Sequence, residues 1–305
     1  MENEILHEAL EVAHEKNGSR ARRSCAGPRR KVNTVARALR VSRSALMAKP
    51  KNGHRGRPAL VDDALLEEIK HIIAEQGSYG YRRTWAILRR ERRKRGLPVP
   101  NHKRVYRVMK AHELLLQRST GNASERRHDG KIAVAESDLR WCSDGLTIAC
   151  DNGEAVDVAF ALDCCDREAI DWIATSGAIA GEHIRDLMLS SIERRFAGEP
   201  PDVPIQWLSD NGSVYTAKDT REFAKLIGLR PCRTPVRSPQ SNGMAESFVK
   251  TLKRDYVVVH GAPDAVTVLR SLPKWFEHYN EVHPHKALRY QSPREFRRSK
   301  LTQTT

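Results

Sequence analysis

Apolar positions recur along this chain with two different periods, and the change from one to the other divides it. Near the N-terminus, Val32 to Met47 (VNTVARALRVSRSALM) puts Val35, Ala36 and Leu39 on one stripe. Ser42 can cap a second short helix that carries Arg43 and returns Leu46 to the core, the outline of a helix-turn-helix. Leu65, Leu66, Ile69, Ile72 and Ile73 then predict a helix that breaks at Gly77 to Gly80. A second helix, Tyr81 to Arg95, turns Trp85 and Leu88 inward. A third, Lys103 to Leu114, packs Val105, Val108 and Met109. Between 118 and 137 large apolar side chains are scarce, as in a linker.

From about residue 138 the period shortens to two. Asp144, Leu146 and Ile148 alternate on one strand face, and Asp151-Asn-Gly153 signals a hairpin. Val156, Val158, Phe160 and Leu162 make a second strand, and Ala169 to Thr175 a third. Ile184, Leu187, Met188, Ser191 and Ile192 then trace an amphipathic helix. Ile205 to Leu208 is a short buried strand, a helix holds Phe223, Leu226 and Ile227, and Leu229 to Thr234 gives a fifth strand. A last helix of this region carries Glu246, Phe248, Leu252 and Tyr256. The expected fold class is α/β: a ribonuclease H-like mixed sheet covered by helices, preceded by all-α helix-turn-helix modules. The expected domains are 1–60 and 61–117 (helical), 118–137 (linker), 138–259 (mixed-sheet core) and 260–305 (a helix and the basic tail SPREFRRSK).

Charge changes the picture. The net charge is +15, and from Arg82 to Arg118 there are 13 Lys or Arg against only Glu91 and Glu113. A local cationic surface of this kind suits a polyanion, with counterion release supplying affinity. Arg82, Arg83, Lys103, Arg104 and Arg107 are the candidate phosphate contacts, with Arg43 in the first module. The bland alternative is a solvated Arg face on an ordinary helical bundle. Six cysteines without C-x-x-C spacing speak against zinc and disulfides and for a reducing cytoplasm. The adjacent Cys164 and Cys165 are expected to be buried, inert thiols. No apolar stretch approaches bilayer length, and the acidic, helix-patterned N-terminus does not read as a signal peptide.

Three carboxylates stand out by position. Asp144 lies on the first strand, Asp210 just past the fourth, and Glu246 near the start of the last core helix. In this strand order the first and fourth strands are neighbours, so the three groups converge at one end of the sheet. Clustered carboxylates repel one another and resist desolvation, and hard divalent cations offset that cost. Two Mg²⁺ ions, or Mn²⁺ in their place, held ~4 Å apart can activate the attacking oxygen and stabilise the leaving 3′ oxygen in phosphoryl transfer. Taken alone, Asp-Asn-Gly is only a turn. His283 and His285 read as tail residues beside a Pro turn rather than as metal ligands.

WLSDNGSVY (207 to 215) and SPQSNGMAESFVKTLKRDY (238 to 256) resemble the second and third acidic motifs of bacterial insertion-sequence transposases with retroviral-integrase-like cores. Between Asp210 and Glu246 lie 35 residues, the spacing that names the D,D-35-E class, and Lys253 follows Glu246 by seven. Two helical turns would set Glu246 and Lys253 on one face with Lys250 between them. RWCSDGLTIACDNG, FALDCCDREAIDW, GYRR…KRVYRVM and HYNEVHPHKALRYQSPREF extend the likeness over roughly 30 to 298. It is greatest to OrfB of the insertion-sequence-three family, although many members have Thr two residues after the first Asp where this chain has Leu146, its nearest Thr being Thr147. The resemblance implies catalysis by Asp144, Asp210 and Glu246, with Lys253 on the terminal nucleotides. It implies a copy-out, paste-in route through a circular intermediate, acting on terminal inverted repeats and target duplex. A homo-oligomer on DNA, a fusion or partnership with the upstream OrfA product, and a bacterial, nucleoid-associated protein are also implied. Two other readings stay open: a non-catalytic helix-turn-helix regulator, which leaves the placed carboxylates unexplained, and a ribonuclease H-type nuclease sharing the metal chemistry.

Overall fold

Burial on both faces of one sheet organises the chain. In the computed structural model, residues 62–117, 133–233 and 243–304 are described. The first helix-turn-helix candidate with Arg43, and most of the expected linker, lie outside them.

Strands β1 (Arg140–Ala149), β2 (Ala155–Asp163) and β3 (Ala169–Thr175) form an antiparallel meander. Its first turn is closed by Gly153, whose φ of +89° is a left-handed conformation that glycine adopts without strain. Helix α4 (Gly181–Phe196) crosses back, and β4 (Ile205–Ser209) joins β1 in parallel. Helix α5 (Lys218–Leu226) and β5 (Leu229–Arg233) complete the sheet, in the order β3-β2-β1-β4-β5. This is the mixed sheet expected from the strand order.

Alternation decides which helix covers which face. Cys142, Leu146 and Ile148 of β1 and Val158, Phe160 and Leu162 of β2 point to one side. There they meet α6 (Gly243–Leu252) and α7 (Ala265–Glu281), with Phe248 packed 4.5 Å from Phe160 and 4.7 Å from Tyr279, ring centre to ring centre. Burying a side chain such as Phe248 contributes about 1.5–3 kcal/mol. The opposite face buries Trp141, Ala159, Ala161 and Trp207 against Ile184, Leu187, Met188 and Ile192 of α4.

Ahead of the sheet, α1 (Asp63–Glu75), α2 (Tyr81–Lys94) and α3 (His102–Ala111) close a smaller core of Leu65, Ile69, Ile72, Leu88, Val105 and Met109. Asn101 caps α3 by accepting the Lys103 amide. This bundle is docked on the chain's C-terminal part. Tyr79 Oη lies 2.8 Å from His283 Nδ1, and Arg90 donates to the carbonyl of Val282 and to Glu295. Asp62–Thr305 accordingly forms one compact unit.

Four expectations need correction. The helix of Glu246 does not run on as α-helix: after Leu252 it opens into a π-turn, Lys253–Val257. The wider turn lets the consecutive residues Asp255 and Tyr256 both point inward. The basic tail is helix α8 (Pro293–Thr304), whose Arg294, Arg297 and Arg298 are ion-paired with Glu168, Glu277 and Glu281. His283 and His285 are packed between Tyr279 and each other rather than lying in a surface tail. Of the adjacent thiols, Cys164 is buried, whereas Cys165 is half-buried with Lys300 Nζ 3.4 Å away.

Candidate active site

Parallel pairing of β1 with β4 fixes the heart of the site. The register pairs Arg140 with Gln206, Trp141 with Trp207 and Cys142 with Leu208. Continued two residues further, it sets Asp210 level with Asp144 as β4 ends. Beneath them, buried Ser143 and Tyr215 share a hydrogen bond of 2.9 Å, which anchors the turn after Asp210 to β1. A cleft of about 230 Å³ opens there, lined by Asp144, Gly145, Asp210, Gly212, Val214 and Tyr215.

Each carboxylate is held differently. Asp210 accepts the Gly212 N–H at 2.9 Å, and a Cβ on residue 212 would come within 3.0 Å of the same oxygen. Glycine at this position therefore keeps the turn tight against the acid. Among the described residues, Asp144 accepts only the N–H of Gly145, at 2.9 Å. Burial, with Asp210 and Glu246 adding their negative charge, pushes its carboxyl up to about 6. Glu246, in the first turn of α6, is half-exposed and lies 3.6 Å from Lys250 Nζ one turn on.

Among the described residues, no cation pairs with Asp144 or Asp210, and Glu246 has only the exposed Lys250. Neither are any three His, Cys, Asp or Glu side chains gathered tightly enough to hold a metal. The three acids share a field but are not drawn to ligand spacing. The donor set itself fits a hard divalent cation: all three are carboxylates, Asp144 and Asp210 line one cleft, Glu246 is close enough to act on the Asp144 carboxyl, and Asp144 lacks a counter-charge among the described residues.

A second acidic group shows what a compensated cluster looks like. Asp163, Asp166 and Glu168, around the β2–β3 connection, are buried together with Arg195. Arg195 lies 3.4 Å from Asp166, 3.2 Å from Glu168 and 3.5 Å from Asp138. Sequence reasoning missed this group because its partners are distant in sequence and no periodicity links them.

The proposed DNA-contact cations divide in two. Arg82, Lys103, Arg107, Lys250 and Lys253 are exposed, with Arg82 lying over the Tyr81 ring. Arg104 is ion-paired with Asp62, and Arg83 with the fully buried Asp255 at 3.0 Å. Much of the RRERRKR run is likewise spent internally, since Arg90 braces the Val282 carbonyl and Arg92 pairs with Glu68 at 2.8 Å. Arg93 and Lys94 remain exposed.

Residues 135–239 and 227–293 match the Integrase core domain family, and residues 61–120 match an HTH-like domain. Transposase InsD for insertion element IS2A/D/F/H/I/K of Escherichia coli is 51% identical over 88% of this chain and 91% of that protein. Insertion element IS2A uncharacterized 48.2 kDa protein, also from Escherichia coli, is 49% identical over 98% of this chain and 72% of that protein. Among solved structures, the catalytic core domain of BIV integrase covers 55% of this chain and 99% of its own, at 17% identity and a TM-score of 0.40. At that score it adds nothing to the sheet order and the family matches.

Proposed function

The chain belongs to the OrfB-type transposases of the insertion-sequence-three family, and from that premise we propose that Asp144, Asp210 and Glu246 form its metal-dependent centre for DNA strand cleavage and joining. The observation that carries the proposal is the pair Asp144 and Asp210, without a cation among the described residues, which the β1–β4 register brings level where β4 ends beside the middle of β1. The three acids would hold two Mg²⁺ or Mn²⁺ ions, which when bound activate the attacking oxygen and stabilise the leaving 3′ oxygen. Gly212 and the Ser143–Tyr215 pair hold Asp210 in place. Lys250 occupies Glu246 until the centre is assembled.

Exposed Arg82, Lys103 and Arg107 on the helical bundle would take phosphates of the element's terminal inverted repeats. Arg83 and Arg104 instead spend their charge on Asp255 and Asp62. Action as a homo-oligomer on DNA fits a reaction that brings two ends and a target together. Partnership or fusion with an upstream OrfA product fits the 48.2 kDa relative, which extends beyond the matched region.

Lys253 separates transposition from generic nuclease action. It is exposed at the first residue of the π-turn, seven residues after Glu246. Metal chemistry alone has no use for a cation there, whereas joining needs the cut 3′ end aligned for in-line attack. The test is joining of a pre-cut duplex end, taken from the DNA flanking the gene, to a target duplex. Wild type is expected to join it with Mg²⁺ or Mn²⁺. Lys253→Ala is expected to join roughly tenfold more slowly, as for loss of one charge-assisted contact, with relaxed end-sequence dependence. Wild-type rate and selectivity in the variant would reduce Lys253 to a surface charge. A wild-type chain that binds ends yet joins none would point to the regulator reading.

A further inference from the structure

Away from the carboxylate cleft, a cavity of about 420 Å³ lies where α6, the helical bundle, the β2–β3 connection and the segment after α7 meet. Arg83, Arg167 and Lys286 all line it, and among the described residues no carboxylate does. Among the described residues Arg167 and Lys286 have no ion-pair partner, and Arg83 has one guanidinium nitrogen on Asp255. Hydroxyl donors come from Ser247 and Thr251, four residues apart on α6 and so on one helix face. His285, a further lining residue, keeps its Nε2 buried without a hydrogen-bond partner.

Arg167 and Lys286, both without an acid among the described residues, converge with Arg83, whose charge Asp255 partly balances, so the cavity carries a net positive field that an anion would offset. Arg167 sharpens the point. Its φ is +63°, a backbone position where Asn or Gly would cost less, and it is nonetheless occupied by a long cationic side chain. Arginine and lysine together with hydroxyl donors are the usual partners of a phosphate oxygen.

We propose that this cavity is a phosphodiester subsite for a DNA strand, separate from the carboxylate cleft and joined to it through α6. The proposal rests on the transposase reading for its source of phosphate. Because Arg83 belongs to the helical bundle and Ser247 adjoins Glu246, a strand seated here would touch both at once.

The test is a scan of single neutral methylphosphonate substitutions along a duplex carrying an element end. Binding is compared between the wild type and Arg167→Asn, which keeps the left-handed backbone but removes the charge. In wild type, neutralising the seated phosphate should weaken binding roughly tenfold, and the same substitution should have no effect in Arg167→Asn. The slope of log affinity against log salt should fall by about one in the variant. Lys286→Gln, at an exposed position, repeats the measurement should Arg167→Asn fail to fold. Identical scans and slopes in wild type and variants would overturn the subsite. Joining is scored in parallel: ends joined without a coupled phosphate remove the subsite alone, whereas a coupled phosphate without joining keeps the subsite and removes the transposase reading.

Discussion

Asp210→Asn is expected to abolish DNA cleavage and joining while end binding survives. Asp144→Asn and Glu246→Gln should behave the same way. Each substitution keeps the shape of the side chain and removes one negative charge from the three acids proposed to hold the metal ions. Loss of a single hydrogen-bond donor to a developing oxyanion already costs ~10²–10³ in rate, so losing a metal ligand should cost roughly 10³-fold or more. Binding should persist because the exposed cations of α2 and α3 are untouched. Stability should not fall for Asp144→Asn. The Asp144 carboxyl is pushed up to about 6 from an ordinary 3.8, so its ionised form is penalised in the folded state. That penalty is absent below pH ~4 and complete above pH ~6, and the neutral amide removes it. Gel assays of cleavage and a thermal melt on the same preparations check both halves; appreciable cleavage by all three variants would remove this site.

Arg195→Ala should be the most destabilising single change in the core. Its guanidinium is 2% exposed among Asp138, Asp166 and Glu168. Removing one partner of a buried ionic group strands the rest, at a cost of about 3–5 kcal/mol. For a unit of this size that is a fall in Tm on the order of 10 °C. Arg195→Lys should recover little, because an ammonium cannot address three carboxylates as a planar fork does. The deficit should also depend on pH. Burial beside Asp166 pushes the Asp163 carboxyl up to about 7 even with Arg195 nearby. A raised carboxylate weakens the fold as pH climbs from about 4 through 7, so the variant's deficit should narrow as pH falls. A melt of Arg195→Ala within a degree or two of wild type would show that something else neutralises this cluster.

Periodicity made the fold legible. Alternation at Val156, Val158, Phe160 and Leu162 marked a sheet face, and the helical stripe from Ile184 to Ile192 marked its cover, because burial imposes those periods locally. Spacing and resemblance together singled out Asp144, Asp210 and Glu246. What stayed hidden was polar burial. Nothing near Arg195 in sequence announces Asp138 or Glu168, and nothing near Arg83 announces Asp255, 172 residues away. The run RRERRKR looked like one cationic face, yet Arg90 and Arg92 are committed inside the fold. The π-turn at Lys253 was equally invisible, since the side chains around it fit an ordinary α-helix until Asp255 and Tyr256 both turn inward.

Of the two acidic clusters, one is neutralised by arginines, and in the other Asp144 and Asp210 have no cation among the described residues. Anomalous scattering from Mn²⁺, in crystals of the chain bound to a pre-cut duplex end, decides between them. The expected result is Mn²⁺ ligated by Asp144 and Asp210 with Glu246 drawn in as the third acid. Mn²⁺ against Asp163, Asp166 or Glu168, with none at Asp144, would contradict the account.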